Sequence, residues 1–117
     1  MQLSILLPSK YRLLSLAAIV DVFETVNRFL KEEGKPALFD ISFVGAPEAP
    51  VIPDSFSHVS YRSIGDGAAY DLIFIPAFGP VDMKETLEEN RCFIPWLHQQ
   101  YAGGAILASN CTGAFLL

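Results

Sequence analysis

The sequence predicts an α/β fold built on a doubly wound, mostly parallel sheet. Three observations predict it. Short apolar runs recur along the chain, which is typical of strands covered on both faces. Segments with apolar residues at three- and four-residue steps lie between some of these runs and indicate helices. The resulting order is strand, helix, strand, strand, helix, strand, helix, and it requires crossover connections of the kind that join parallel strands.

Each element has its own signal. A first helix around Leu16–Leu30 has one apolar face and ends near Gly34. A second helix is expected over Asp82–Gln100, bent at Pro95, and a last one begins at Thr112. The predicted strands share a short apolar or alternating composition bounded by turn residues, and they are Gln2–Leu7, Phe39–Val44, Val59–Ile64, Asp71–Ile75 and Ala105–Ala108.

Composition narrows the classes of protein to which this chain can belong. The chain has 117 residues, of which 51% are hydrophobic, so it can bury a core without disulfides or metals. Its net charge of -5 and the absence of a basic stripe argue against direct contact with nucleic acid. Two cysteines make no disulfide framework, and a reduced, cytoplasmic setting is expected. No apolar run approaches the roughly 20 residues that a membrane span needs.

Most polar or aromatic residues outside the last segment have structural interpretations. Trp96 and Cys92 are expected in the core, and His58 and His98 on the surface. The acidic residues of the second helix, Asp82, Glu85, Glu88 and Glu89, are expected on a solvated face. No histidine pair has the spacing of metal ligands, so neither a metal nor another cofactor is expected.

The most informative segment is the C-terminal one, GGAILASNCTGAFLL. A strand of small residues leads to Cys111, and Thr112-Gly113 open the next helix. A nucleophile elbow has this arrangement, because its residue projects from a tight turn at the carboxyl edge of the sheet. Such a residue is expected to have strained backbone dihedrals. A helix N-terminus favours the thiolate, and the N–H of Thr112 would suit a developing oxyanion.

The segment ASNCTGAFLL resembles the cysteine motif of the ThiJ/PfpI superfamily, which has the class I glutamine amidotransferase-like fold. It is most similar to the branch at the N-terminus of AraC-type transcriptional regulators. The opening segment ILLPSKYRLLSLAAIVDVFETVNRFL and the segment DLIFIPAFGP, which leads into the oxyanion loop, are also similar to that branch. The resemblance implies a flavodoxin-like sheet with a cysteine at the elbow.

The sequence departs from the superfamily where chemistry is concerned. By the resemblance, enzymes of the superfamily have a Glu or Asp near the start of the first helix, and here Ser15 stands at that position. Pro76 is followed by Ala77 and Phe78 before Gly79, so the family's glycine pair is altered. The histidine that partners the cysteine follows the elbow helix in catalytic members, and no histidine follows Cys111 here.

The candidate site therefore contains Cys111 as the catalytic candidate and Ser15, Phe78, Gly79 and Thr112 as binding residues. Two functions remain open. The first is a ligand-sensing and dimerisation domain of an AraC-type regulator, with a small-molecule effector, a homo-oligomeric partner and DNA bound only by a C-terminal domain. The second is an amidase-like or isonitrile-hydratase-like enzyme, in which Cys111 reacts and the amides of Thr112 and Phe78 or Gly79 bind the oxyanion.

The chain is expected to be the N-terminal portion of a longer domain. It stops about one turn into the helix after Cys111, and two long helices are few for a sheet covered on both faces. Any DNA-binding domain would lie beyond residue 117. We expect Phe115 and Leu116 to point towards a core that residues 1–117 do not complete, and the exposed apolar surface to be covered by further chain or by an oligomer.

Overall fold

A computed structural model of the protein describes residues 1–48, 52–79 and 83–117. It contains one sheet of five parallel strands in the order β3-β2-β1-β4-β5, which confirms the predicted α/β class. The strands lie within one or two residues of the predicted bounds, and they are β1 Gln2–Leu6, β2 Asp40–Gly45, β3 Ser60–Ser63, β4 Leu72–Ile75 and β5 Ile106–Ser109.

Helices connect the strands, and the core has a layer on each face of the sheet. On one face, α1 (Leu13–Glu32) packs Leu16, Ile19 and Val20 against residues such as Phe43. The other face is covered by α3 (Phe93–Ala102) and by residues at the end of the chain, with this core formed by Leu6, Val44, Tyr70, Ile73, Ile75, Phe78, Phe93, Trp96, Leu97, Ala105 and Leu116. The alternation of side chains along β1 and β2 supplies both layers.

The single helix predicted over Asp82–Gln100 is wrong. Its first residue lies outside the described residues, and the rest forms α2 (Met83–Glu89), a turn, and α3. The chain breaks at Asn90, whose buried side chain binds backbone atoms, and not at Pro95. Pro95 lies in the first turn of α3, where a helix needs no N–H donor.

Cys92 is exposed, which contradicts its expected place in the core. It lies in the turn before α3, and the next residue, Phe93, takes the buried position. Trp96 is buried as expected. The chain ends in a 3-10 helix, Cys111–Leu116, in which Leu116 is buried and Phe115 is exposed.

Candidate functional site

The carboxyl ends of β1, β4 and β5 meet at one edge of the sheet. Because these strands are parallel neighbours, the segments that follow them lie side by side. The loop from Leu7 to Arg12 follows β1, the loop from Pro76 to Gly79 follows β4, and Asn110-Cys111 follow β5. The candidate residues named from the sequence lie on these segments, on the first turn of α1 or, for Thr112, in the 3-10 helix that begins at Cys111.

Ser15 joins two of these segments. Its Oγ accepts a hydrogen bond from the backbone N–H of Ala77 at 3.0 Å and another from Nδ2 of Asn110 at 3.1 Å. Asn110 immediately precedes Cys111, and its own N–H donates to the carbonyl of Ile75 at 2.9 Å. The hydroxyl of Ser15 therefore fixes the loop after β4 and the residue that precedes Cys111.

Thr112 holds the same loop from the other side. Its hydroxyl accepts the N–H of Phe78 at 2.9 Å and donates to the carbonyl of Phe78 at 2.7 Å. Phe78 is fully buried, so this hydroxyl satisfies both backbone groups of a residue that water does not reach. The N–H of Phe78 consequently points at a hydroxyl of the protein.

The loops after β1 and β4 are joined through their backbones. The N–H of Gly79 donates to the carbonyl of Lys10 at 3.1 Å, and the N–H of Arg12 donates to the carbonyl of Ala77 at 2.8 Å. Lys10 has a φ of 60° and Gly79 a φ of 107°, so both loops turn through the left-handed region. Of these two residues, glycine adopts such values without strain.

Cys111 lies at the point where β5 turns into the last 3-10 helix. Its φ is 51°, a value that residues with a side chain adopt uncommonly, and the residue is exposed. The backbone strain expected there is thus present. Gly113, two residues later, is buried against β4: a Cβ placed on it would lie 2.8 Å from the carbonyl oxygen of Pro76. The turn accordingly needs a residue without a side chain at position 113.

Sequence reasoning missed a polar link beside these loops. The fully buried Asn90 accepts the N–H of Ser9 at 2.6 Å through Oδ1, and its Nδ2 donates to the carbonyls of Ser9 and Thr86. Ser9 also donates its hydroxyl to Glu89 at 2.8 Å, and Lys10 lies 3.4 Å from the same carboxylate. The Ser9 hydrogen bond, followed by the attraction of Lys10, lowers the pKa of Glu89. Asn90 lies inside the helix predicted over Asp82–Gln100, so the sequence pattern gave no signal of this link.

A groove of about 720 Å³ lies beside the edge strand β5, and none of the candidate residues lines it. Apolar residues of α3, β5 and the end of the chain line most of it, including Leu97, Ile106 and Leu116. His98, exposed as expected, also lines the groove. The other histidine, His58, pairs with Glu24 of α1 at 2.7 Å.

Across residues 1–48, 52–79 and 83–117, no cluster of His, Cys, Asp or Glu is arranged to hold a metal ion. Within those same ranges, no helix combines the length and apolar character needed to cross a membrane. What the site does offer is an exposed thiol beside hydroxyl and amide groups on three segments that hydrogen bonds join.

No protein-family model matches the sequence, and no curated protein matches it either. Solved structures do match in fold. A protein from Vibrio parahaemolyticus, described as a transcriptional regulator, superposes with a TM-score of 0.74 at 19% identity over 99% of this chain. An AraC family transcriptional regulator from Pseudomonas putida gives a TM-score of 0.67 at 17% identity over 98% of this chain. The chain spans 59% and 58% of the length of these two proteins.

Proposed function

We propose that this chain is an effector-sensing and dimerisation domain of an AraC-type transcriptional regulator and that it catalyses no reaction. The observation that carries the proposal is the environment of Ser15. This hydroxyl joins Ala77 to Asn110 beside Cys111, at the position where the resemblance to the ThiJ/PfpI superfamily would require a carboxylic acid. A serine there can hold the loops in place, but it cannot exchange a proton near neutral pH.

The similar structures support the regulator. Both are transcriptional regulators by description, and both have this fold in part of a longer chain. The net charge of -5 makes these 117 residues a poor surface for DNA, so DNA binding is assigned to another part of the regulator. A regulator of this kind acts in the cytoplasm, where the thiols of Cys92 and Cys111 stay reduced.

The enzyme alternative has weaker support from the geometry. It needs backbone N–H groups that are free to stabilise an oxyanion. Of the three N–H groups named for the oxyanion, that of Phe78 donates to Thr112 and that of Gly79 donates to Lys10, so two of the three already have partners inside the protein. A nucleophilic Cys111 would also need a base, and within residues 1–48, 52–79 and 83–117 no hydrogen bond joins its thiol to one.

The effector is placed at the carboxyl edge, where open α/β sheets bind their ligands. Cys111 and Asn110 are exposed there, and Ser15 lies half-buried behind them. These groups offer a thiol, an amide and a hydroxyl, which donate and accept hydrogen bonds. The edge therefore suits a small polar molecule.

A thermal-shift screen tests the proposal. The probes are amino acids, amines, amides and small organic acids, each added to the purified chain. At least one class is expected to raise the melting temperature, and Asn110→Ala is expected to remove the rise. The matched control is Gln99→Ala, on the exposed side of α3, which should keep it. No response to any class, or a response that survives Asn110→Ala, would count against an effector site at this edge.

A further inference from the structure

An apolar stripe runs along the outer side of α1, away from the sheet. Leu14, Val22 and Phe29 are 84%, 57% and 56% exposed, and Ala18 is exposed between them. With about 100° of rotation per residue, these positions and the half-exposed Thr25 fall within an arc of about 80°. The buried residues of α1 lie on the opposite side, so this second apolar face serves no packing within the described parts of the chain.

We propose that the part of this stripe from Ala18 to Phe29 is the surface through which two copies of the chain dimerise, with the two α1 helices antiparallel. The inference rests on the proposed function and adds the surface through which the two copies would contact each other. Two features favour a second copy as the occupant: the sizes of the residues along the stripe, and the charges at its margin.

The sizes are complementary under a two-fold axis. Ala18 and Phe29 have the same sequence midpoint as Val22 and Thr25, between residues 23 and 24. An antiparallel pair centred there sets Phe29 of one copy against Ala18 of the other, so the largest residue meets the smallest. Val22 then meets Thr25. Such alternation of large and small side chains allows two helices to approach closely.

The charges are complementary under the same axis. Asp21 and Arg28 lie on one margin of the stripe and are both exposed. They stand seven residues apart, about 10 Å along the helix, and neither forms an ion pair within residues 1–48, 52–79 and 83–117. In the antiparallel pair, Arg28 of each copy comes within about 3 Å along the axis of Asp21 of the other. The guanidinium of Arg28 lies 5.8 Å from the Phe29 ring, at the edge of this contact.

Sedimentation velocity over about a hundredfold range of concentration tests the surface. The chain is expected to dimerise, and Val22→Glu to weaken the dimer at least about tenfold, because each copy would bury an unpaired carboxylate. Leu38→Glu is the matched control: it adds the same charge at another exposed apolar residue and should leave the dimer intact. A chain that stays monomeric, or equal dimerisation by Val22→Glu, would overturn the inference.

Exchanging the charges of Asp21 and Arg28 tests whether a second copy covers the stripe, and this test does not require Val22→Glu to fold. Asp21→Arg and Arg28→Asp should each weaken the dimer, and the double variant should recover it because each new charge meets its opposite in the other copy. Failure of the double variant to recover would exclude the antiparallel pair. The effector screen separates the two proposals. A monomer that responds to a probe would contradict dimerisation and its surface but not effector sensing, whereas a dimer that responds to no probe would contradict only effector sensing.

Discussion

The side-chain hydroxyl of Thr112 binds both backbone groups of Phe78, accepting its N–H at 2.9 Å and donating to its carbonyl at 2.7 Å. Thr112, in the last 3-10 helix, thus supplies the two hydrogen bonds that the backbone of the buried Phe78 needs, as a neighbouring strand would in a sheet. The contact connects Cys111, the preceding residue, to the loop that would hold an oxyanion in an enzyme. The same atoms therefore stabilise the fold and occupy one of the N–H groups that the enzyme alternative would use.

Replacing Thr112 by Val should destabilise the chain by about 1–3 kcal/mol, because two buried backbone groups lose their partner while the side-chain volume stays similar. Thr112→Ser keeps the hydroxyl and should retain most of the stability. Urea unfolding followed by circular dichroism measures both. Equal stability of Thr112→Val and the unmodified chain would show that the contact contributes nothing.

Gly113→Ala should destabilise by about 1–3 kcal/mol, since the new Cβ would meet the backbone of β4, which is fixed in the sheet. Gly103→Ala is the control. Its Cβ would lie 3.5 Å from the nearest atoms, and its φ of -81° suits any residue, so a change within about 0.5 kcal/mol is expected. Thermal unfolding of the two variants tests the difference, and an unaffected Gly113→Ala would contradict the close approach.

Asn90→Ala should destabilise by about 2–3 kcal/mol, because the N–H and carbonyl of Ser9 and the carbonyl of Thr86 lose a buried partner. Amide hydrogen exchange should also quicken at Ser9. Gln99→Ala, at an exposed position of α3, provides the comparison and should have little effect. Unchanged exchange at Ser9 would mean that Asn90 does not hold the loop after β1.

The contribution of the Ser9–Glu89 hydrogen bond to the stability of the fold should depend on pH. Because the Ser9 hydrogen bond lowers the pKa of Glu89 in the folded chain, the link stabilises the fold above the ordinary glutamate pKa and is lost as the pH falls through the lowered value. The stability difference between the unmodified chain and Glu89→Gln should therefore shrink below about pH 4. Carboxyl NMR titration provides the direct check: Ser9→Ala should raise the pKa of Glu89, and an unmoved titration would be contrary to this account.

The strands of the sheet could be predicted from the sequence because buried parallel strands are continuous apolar runs, which are easy to recognise. Runs such as Leu72–Ile75 are apolar on both faces and end at proline or small residues, so their positions and parallel pairing were predictable. The break between α2 and α3 was not predictable, since it depends on a tertiary contact of Asn90 with a residue 81 positions away. Cys92 was assigned to the core by residue type alone, and a turn placed it outside.

The site was predictable as a neighbourhood but not as a set of contacts. The resemblance placed Ser15, Phe78, Gly79 and Thr112 on segments that the structure brings together. It did not indicate that the N–H groups of Phe78 and Gly79 are bound by Thr112 and Lys10, because side-chain rotamers and loop pairing leave no periodic pattern in a sequence. These contacts bear on the enzyme alternative, because it would use the same N–H groups.

The central claim is that this chain binds without catalysing, and a turnover assay tests it most directly. The purified chain and Cys111→Ser would be incubated side by side with amides, esters and isonitriles, and product would be followed by mass spectrometry. We expect no product from the chain beyond that formed with Cys111→Ser, because Ser15 cannot act as an acid and the N–H groups of Phe78 and Gly79 are occupied. Turnover that disappears in Cys111→Ser would contradict the account and establish an enzyme.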